Sequence, residues 1–363
     1  MNASPKSVLF LVDRWVPGGV KKHILELAGQ LVGSGVTCAI AAWKPSNVEA
    51  PEGYEFVDLP LLEENSSKSL LGLYRSSRLL RNFLIEKEIE ILHAHSRYVT
   101  LLAFLASLRL PVKIIYTVHN IFSDMRYLPF YPKYVICLNE AGKVDFLKNW
   151  FLRSNQVISV IPNGIDSVPE PGNSHSTAPY GTFAFVGRLE KWKGADQILY
   201  ATSLLGDVAI RILLAGSGPE EKKLFALAER LGISSKVDFL GHLDDPGPIY
   251  EESIALIVPS LEMEGFGYVV LEAFAHGRPV IASDLDIFND TVVDGKTGLR
   301  FQVGNQQSLA EAMLQAMNDR ESLSSMGSNG YRLLLERFTL KKMADSTLDV
   351  YRNLLSDHKE QSA

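Results

Sequence analysis

Short apolar runs alternate with helix-length amphipathic segments through almost all of this 363-residue chain, and the alternation breaks once. Strands separated by whole helices cannot pair as tight hairpins, so the pattern calls for parallel sheets with helices packed on their faces. In the first half the predicted strands fall at residues 7–13, 37–42, 54–58, 91–94, 113–117, 134–138 and 156–161, with helices such as 20–33, 70–87 and 98–108 between them. Residues 166–180, DSVPEPGNSHSTAPY, are rich in Pro, Ser and Gly without periodicity and read as a linker. From Gly181 a second series begins, TFAFVG, RILLAG, KVDFLG, IALIVPS and RPVIAS, again separated by helices. The last amphipathic stretch, residues 340–356, is a helix with no strand after it. The expectation is α/β: two Rossmann-like parallel-sheet domains facing a central cleft. Ligands of open α/β sheets bind beyond the carboxyl ends of the strands, so that cleft is the default active site.

Composition agrees. This length suits two domains, and 46% hydrophobic residues fill two cores without metal or disulfide staples. Cys38 and Cys137 each sit in an apolar strand-like run, which predicts buried thiols in a reducing compartment. The start, MNASPKSVLFLV, lacks the marks of a signal peptide, and no apolar run reaches about 18 residues. A cytoplasmic protein is expected. The net charge of −6 is uneven. Residues 1–165 carry 18 Lys and Arg against 14 Asp and Glu, and residues 166–363 carry 18 against 28. The basic half suits an anionic partner, although chance surface composition explains so small an excess equally well.

The most informative stretch is PSLEMEGFGYVVLEAFAHGRPVIAS, residues 259–283, which reads strand, loop, helix, turn, strand. Glu264 lies in the loop and Glu272 in the helix, with seven residues between them. Eight helical steps rise about 12 Å. A close carboxylate pair of about 5 Å, as a double-displacement glycosidase needs, is therefore excluded. Two acceptors gripping different hydroxyls of one long ligand fit better. Gly265 and Gly267 leave amides bare at the helix start, where phosphate binds well.

This segment resembles the signature of the family 4 retaining glycosyltransferases of GT-B fold, an E-x7-E motif with its EGFG context. The match extends over most of the chain. The resemblance implies that Glu272 holds the ribose of a nucleotide-sugar donor and that Glu264 contacts the transferred sugar. Gly265, Phe266 and Gly267 would present amides to sugar and diphosphate. FVGRLEKWKG, residues 185–194, resembles the family's GR-x-x-x-x-KG element, in which Arg188 and Lys193 would neutralise the leaving diphosphate. Gly18 and Gly19, between the first strand and helix, resemble the family's glycine loop near the donor phosphate. Gly216, in AGSGPE, resembles its strand-end G-x-G-P turn. In YTVHN, His119 stands at a strand's carboxyl end, where the family has a His beside the reacting sugar. A lone His in such a core is more often merely packed, but its place after an apolar strand favours function. IPNGID, residues 161–166, resembles the turn leading to the hinge, with Asn163 and Gly164 as turn formers.

The implied domains are 1–165 for the acceptor, 166–180 as linker, 181–339 for the nucleotide sugar, and 340–363 returning to the first domain. The implied catalytic set is His119, Glu264, Arg188 and Lys193. The implied donor set is Gly18, Gly19, Arg188, Lys193, Gly216, Glu264, Gly265, Phe266, Gly267 and Glu272.

Other signals carry less. His93 and His95, in HAHS, point the same way on a strand, but no nearby Cys or carboxylate completes a metal set. AGSGPE lacks a third glycine and a ribose-binding acid, which argues against NAD. No metal or other cofactor is expected beyond the nucleotide-sugar co-substrate. Arg75, Arg78 and Arg81 recur among leucines. Peripheral contact of the N-terminal domain with the inner face of the cytoplasmic membrane stays open beside an ordinary solvated helix face. The aromatic and basic loop at 126–134 suits an acceptor entrance. Overall acidity argues against nucleic acid. Two features depart from the family: DIFNDT at 286–291 replaces a glycine-rich turn with a glutamate, and Phe338–Thr339 replaces a tryptophan. The partners expected are a nucleotide-diphosphate sugar and a glycan or glycolipid acceptor, in envelope polysaccharide or glycolipid biosynthesis. The rival readings are a sugar-nucleotide epimerase of the same architecture and a non-catalytic carbohydrate-assembly partner.

Overall fold

The computed structural model describes residues 4–46, 48–59, 70–119, 132–149, 156–166, 181–262 and 264–361. Two compact units divide the chain: Met1–Asn163 with Leu340–Ala363, and Gly164–Thr339. Most of the linker expected at 166–180, and most of the loop at 126–134, lie outside the described residues.

The first unit runs β1 (Ser7–Arg14), α1 (Gly19–Gly33), β2 (Thr37–Trp43), β3 (Glu55–Asp58), α2 (Leu70–Glu86), β4 (Ile91–Ala94), α3 (Arg97–Ser107), β5 (Lys113–Val118), β6 (Tyr134–Cys137), α4 (Glu140–Asn149) and β7 (Val157–Val160). The second runs β8 (Thr182–Val186), α5 (Ala195–Leu204), β9 (Arg211–Ala215), α6 (Glu221–Arg230), β10 (Val237–Gly241), α7 (Gly247–Glu252), β11 (Ala255–Val258), α8 (Tyr268–Ala275), β12 (Val280–Ser283), β13 (Gly298–Phe301), α9 (Gln306–Asn318) and α10 (Arg320–Arg337). The final helix, α11 (Leu340–Gln361), belongs to the first unit.

Both sheets are parallel, in the orders β3-β2-β1-β4-β5-β6-β7 and β10-β9-β8-β11-β12-β13. Strand order therefore reverses between β1 and β4 in one sheet and between β8 and β11 in the other. Loops leaving the carboxyl ends of these neighbours diverge to opposite faces, which opens a crevice in each unit.

Side chains alternate across the first sheet as the strand period requires. Val8 and Phe10 join Ile24 and Leu27 of α1 and Leu340, Met343 and Leu354 of α11. Leu9 and Leu11 join Leu80 and Leu84 of α2 and Val99 and Leu102 of α3. The terminal helix thus completes one face of the first unit's core. Its Tyr351 is fully buried and bonds Nδ1 of His93 through its hydroxyl at 2.7 Å.

Strand boundaries expected from sequence agree to within a residue or two. The second sheet holds one strand absent from the expected series, β13. Its four residues, GLRF, carry a glycine and an arginine and form no apolar run. Among the described residues no helix is long and apolar enough to cross a membrane. Cys38 and Cys137 are free and buried.

Candidate active site

In the second unit, the loops after β8, β9 and β11 meet backbone to backbone. Gly187 donates its amide to Ala215 O at 3.0 Å, Leu189 to Ser217 O at 2.9 Å, and Leu261 to Trp192 O at 2.8 Å. Gly216 has φ of +144°, and a Cβ there would stand 1.8 Å from Gly187 O. Glycine is needed at this crossing, because any side chain would drive the β9 loop away from Arg188. The first duty of Gly216 is therefore close packing beside the expected diphosphate-binding loop.

Lys193 ends a short 3-10 turn, Lys191–Lys193, and its Nζ pairs with Oε1 of Glu264. The other carboxylate oxygen, Oε2, accepts from Ser260 Oγ at 3.1 Å. Ser260 is anchored in turn, its carbonyl accepting from Ser283 Oγ at 2.8 Å. Glu264 is thus buried with both oxygens engaged, at the carboxyl edge of β11. Lys193 also lies over the Trp192 ring at 4.4 Å, and Trp192 Nε1 donates to Glu190 Oε2 at 2.7 Å. Glu190 Oε1 pairs at 2.6 Å with Arg188, which is largely exposed. Residues assigned by sequence to separate parts of one ligand are brought together here, and Lys193 and Glu264 neutralise one another directly.

Gly267 caps α8 in the left-handed region, with φ of +81°. The side chain of Phe266 is buried, edge-on to Tyr268 and Phe338. That side chain is committed to packing, so only the backbone of Phe266 is left to meet a ligand. One turn into α8, Glu272 is half-buried and accepts from Tyr250 Oη at 2.9 Å. Burial and the neighbouring carboxylate push the Tyr250 phenol well above its ordinary range, so it stays a donor. In the divergent segment, Phe288 is fully buried and sits against Gly267. Arg300 ties Asn289 and the Leu285 carbonyl, so this loop supports the start of α8.

The first unit carries a different chemistry. Gly18 and Gly19 are exposed at the start of α1, after β1. One turn further, His23 points inward. His95 follows β4 and His119 follows β5, so the sheet order brings them side by side. His95 Nδ1 and His119 Nε2 share a hydrogen bond of 2.8 Å. His23 Nδ1 bonds Asn163 Oδ1 at 2.7 Å, and its ring lies 4.8 Å from that of His119. His93 bonds Tyr351 Oη and, at 2.6 Å, Thr117 Oγ1. Asn163 is thus more than a turn former.

Burial drives all four histidines toward the neutral form. His23 is lowered to about 4, its Asn163 bond opposing the shift. His93, His95 and His119 are pushed well below the ordinary value by burial and then by their histidine neighbours.

Sequence reasoning tested HAHS only for a nearby Cys or carboxylate, and the fold corrects that search. His23, His95 and His119 each offer a nitrogen within 4.8 Å of the others, a set that suits a transition metal in type. Two of these residues, His95 and His119, already bond each other. His23 was missed altogether. Its signal was a histidine on the apolar stripe of α1, beside Ile24 and Leu27.

Two family models match the chain: Glycosyltransferase Family 4 over residues 17–168, and Glycosyl transferases group 1 over residues 173–333. The chain belongs to glycosyltransferase family 4 and has the GT-B fold. It is similar to the phosphatidyl-myo-inositol mannosyltransferase of Mycobacterium leprae (strain TN), 26% identical over 359 residues, covering 93% of this chain and 94% of the relative. It is 27% identical over 307 residues to the O-antigen biosynthesis glycosyltransferase WclY of Escherichia coli, covering 75% and 81% of the two chains. Anabaena HepE in complex with UDP superposes with a TM-score of 0.77 at 20% identity, over 95% of this chain and 99% of that one. The chain is therefore a glycosyltransferase enzyme, and the epimerase and non-catalytic readings are not favoured.

Proposed function

We propose that this enzyme binds a nucleotide-diphosphate sugar in the second unit and transfers the sugar, with retention, to a hydroxyl of a glycan or glycolipid. The observation that carries the reading is the buried Glu264, held by Lys193 and Ser260 beside the start of α8, with Arg188 on the adjoining loop. Glu272 would take the ribose, and the Gly265–Gly267 amides the diphosphate. The helix start and two cations favour that charge as it grows on the leaving group. No metal is then needed. The bond from the sugar's anomeric carbon to the diphosphate oxygen breaks, and a bond from the acceptor oxygen forms on the same face. The acceptor's proton passes to the departing phosphate. The relatives' names support envelope polysaccharide or glycolipid assembly, and HepE supports a uridine donor, the cytoplasm being the expected compartment.

Incubation with UDP-, GDP- and ADP-sugars, with anomeric configuration of the product read by NMR, tests this. One donor is expected to be hydrolysed and transferred with retention. Calorimetric binding without turnover of any donor, or an inverted product, would refute it.

Membrane contact is a second reading with its own observation. On α2, Tyr74, Leu79 and Ile85 are exposed alongside Arg75 and Arg78. Arg81 is excluded from that face, because it caps α3 by donating to the carbonyls of Ala106 and Leu108. Co-sedimentation with anionic vesicles, lost on replacing Arg75 and Arg78 by Glu, is expected. Equal binding to zwitterionic vesicles would contradict it.

A further inference from the structure

The histidine cluster holds more information than a set of packed rings. In His23, Nδ1 faces Asn163 Oδ1, which can only accept, so Nδ1 carries the proton and Nε2 bears the lone pair. That Nε2 is buried and has no hydrogen-bond partner among the described residues. His95 shows the same feature: Nδ1 meets His119, and Nε2 is buried without a partner among the described residues. His119 is the least deeply buried of the four, and neither of its nitrogens is stranded in this way.

A neutral imidazole has one N–H, so the His95–His119 bond admits two arrangements. In one, His119 Nε2–H donates to His95 Nδ1. His95 must then carry its proton on Nε2, as a buried N–H with no acceptor. In the other, His95 Nδ1–H donates to His119 Nε2, which leaves a bare lone pair on His95 Nε2. An orphaned buried N–H is the rarer and costlier defect. Among the described residues, the rings around His95 are Phe10, His93, His23 and His119, and no carboxylate is hydrogen-bonded to it. The second arrangement therefore prevails, and the tautomer of His119 follows: Nε2 accepts from His95, and Nδ1 carries the hydrogen.

We infer that His95 is a positioning residue that fixes His119 as a neutral Nδ1–H donor, so that His119 gives a hydrogen bond to the sugar and does not act as a base. This rests on the reading that His119 faces the substrate. Burial opposes protonation of the cluster and keeps His119 in that neutral form. The departing phosphate then remains the only group needed to take the acceptor's proton, which is the division of labour proposed above.

The test uses the full chain labelled with 15N in its eight histidines, where long-range proton–nitrogen spectra report which ring nitrogen is protonated. His119 is expected to show a protonated Nδ1 and a bare Nε2. His95→Asn keeps an N–H donor at the same branch point, and should preserve that tautomer and keep kcat within about threefold. His95→Asp offers only acceptors, so it should move the proton of His119 to Nε2. That change should lower kcat on the order of 10²-fold with little change in KM, as loss of a donor aimed at the transition state does. A protonated Nε2 on His119 in the unaltered enzyme overturns the assignment, and that result is read without any turnover assay. A reversed tautomer with unchanged kcat overturns the functional consequence alone. Full activity in His119→Ala overturns the reading of His119 itself, whatever the spectra show.

Discussion

Acidification should unfold the first unit before carboxylate protonation matters, because four buried histidines must take up protons to reach their unfolded-state equilibrium. The sign follows from His23. Its folded pKa is about 4, against 6.5 for the ordinary side chain. The unfolded chain therefore binds more protons between these values. The stabilisation is fully present above 6.5 and is lost as pH falls toward 4. At about pH 5 the unfolded side chain is almost wholly protonated and the folded one hardly at all. The loss is then about 1.5 pKa units, or about 2 kcal/mol from this residue. His93, His95 and His119 shift in the same direction and add to that loss, against a typical domain stability of about 5–15 kcal/mol. Urea unfolding followed by circular dichroism, repeated from about pH 8 to about pH 5, should show stability falling with a slope of several protons. His23→Gln should reduce that slope by about one proton. An unfolding free energy independent of pH across this range, or an unaltered slope in the variant, would refute the reasoning.

Replacing Lys193 or Arg188 by Ala should lower turnover by about 10²–10³-fold, as loss of one preorganised contact to developing negative charge does. Near-wild-type rates in both variants would sink the diphosphate assignment. Activity should survive excess EDTA, and complete loss restored by a divalent ion would show that the cationic side chains do not suffice. Truncation after Arg337 removes α11, whose buried residues include Leu340, Met343, Leu348, Tyr351 and Leu354. At about 1.5–3 kcal/mol each their gross contribution is about 10 kcal/mol. The first unit should lose its unfolding transition while the second keeps its own, and an unchanged melting profile and rate would contradict this.

The alternation of strand and helix was legible because each β-α step is local. An apolar run must end, and the residues just past its carboxyl end are candidates for ligand contact whatever the strand order. Arg188, Lys193, Glu264 and His119 were all found in that way. β13 escaped because a strand of four residues containing Gly298 and Arg300 has no apolar run to announce it. Partners were much less legible than positions. Lys193 and Glu264 are 71 residues apart in sequence. They meet because β8 and β11 are neighbours while β9 and β10 lie on the far side of β8. The four histidines are joined by the same logic through β1, β4 and β5, with α1 bringing the fourth. Strand adjacency is a property of the whole sheet, and hydrophobic periodicity carries no trace of it. Once a doubly wound order is assumed, however, both meetings can be deduced. In each unit the reversal places the loop after the first strand beside the loop after the fourth. The glycine loop and His95 share one such crevice, and Lys193 and Glu264 share the other. A sequence search that paired strand-end residues across the reversal would have found the buried ion pair. It would also have brought His95 beside α1, where His23 completes the contact.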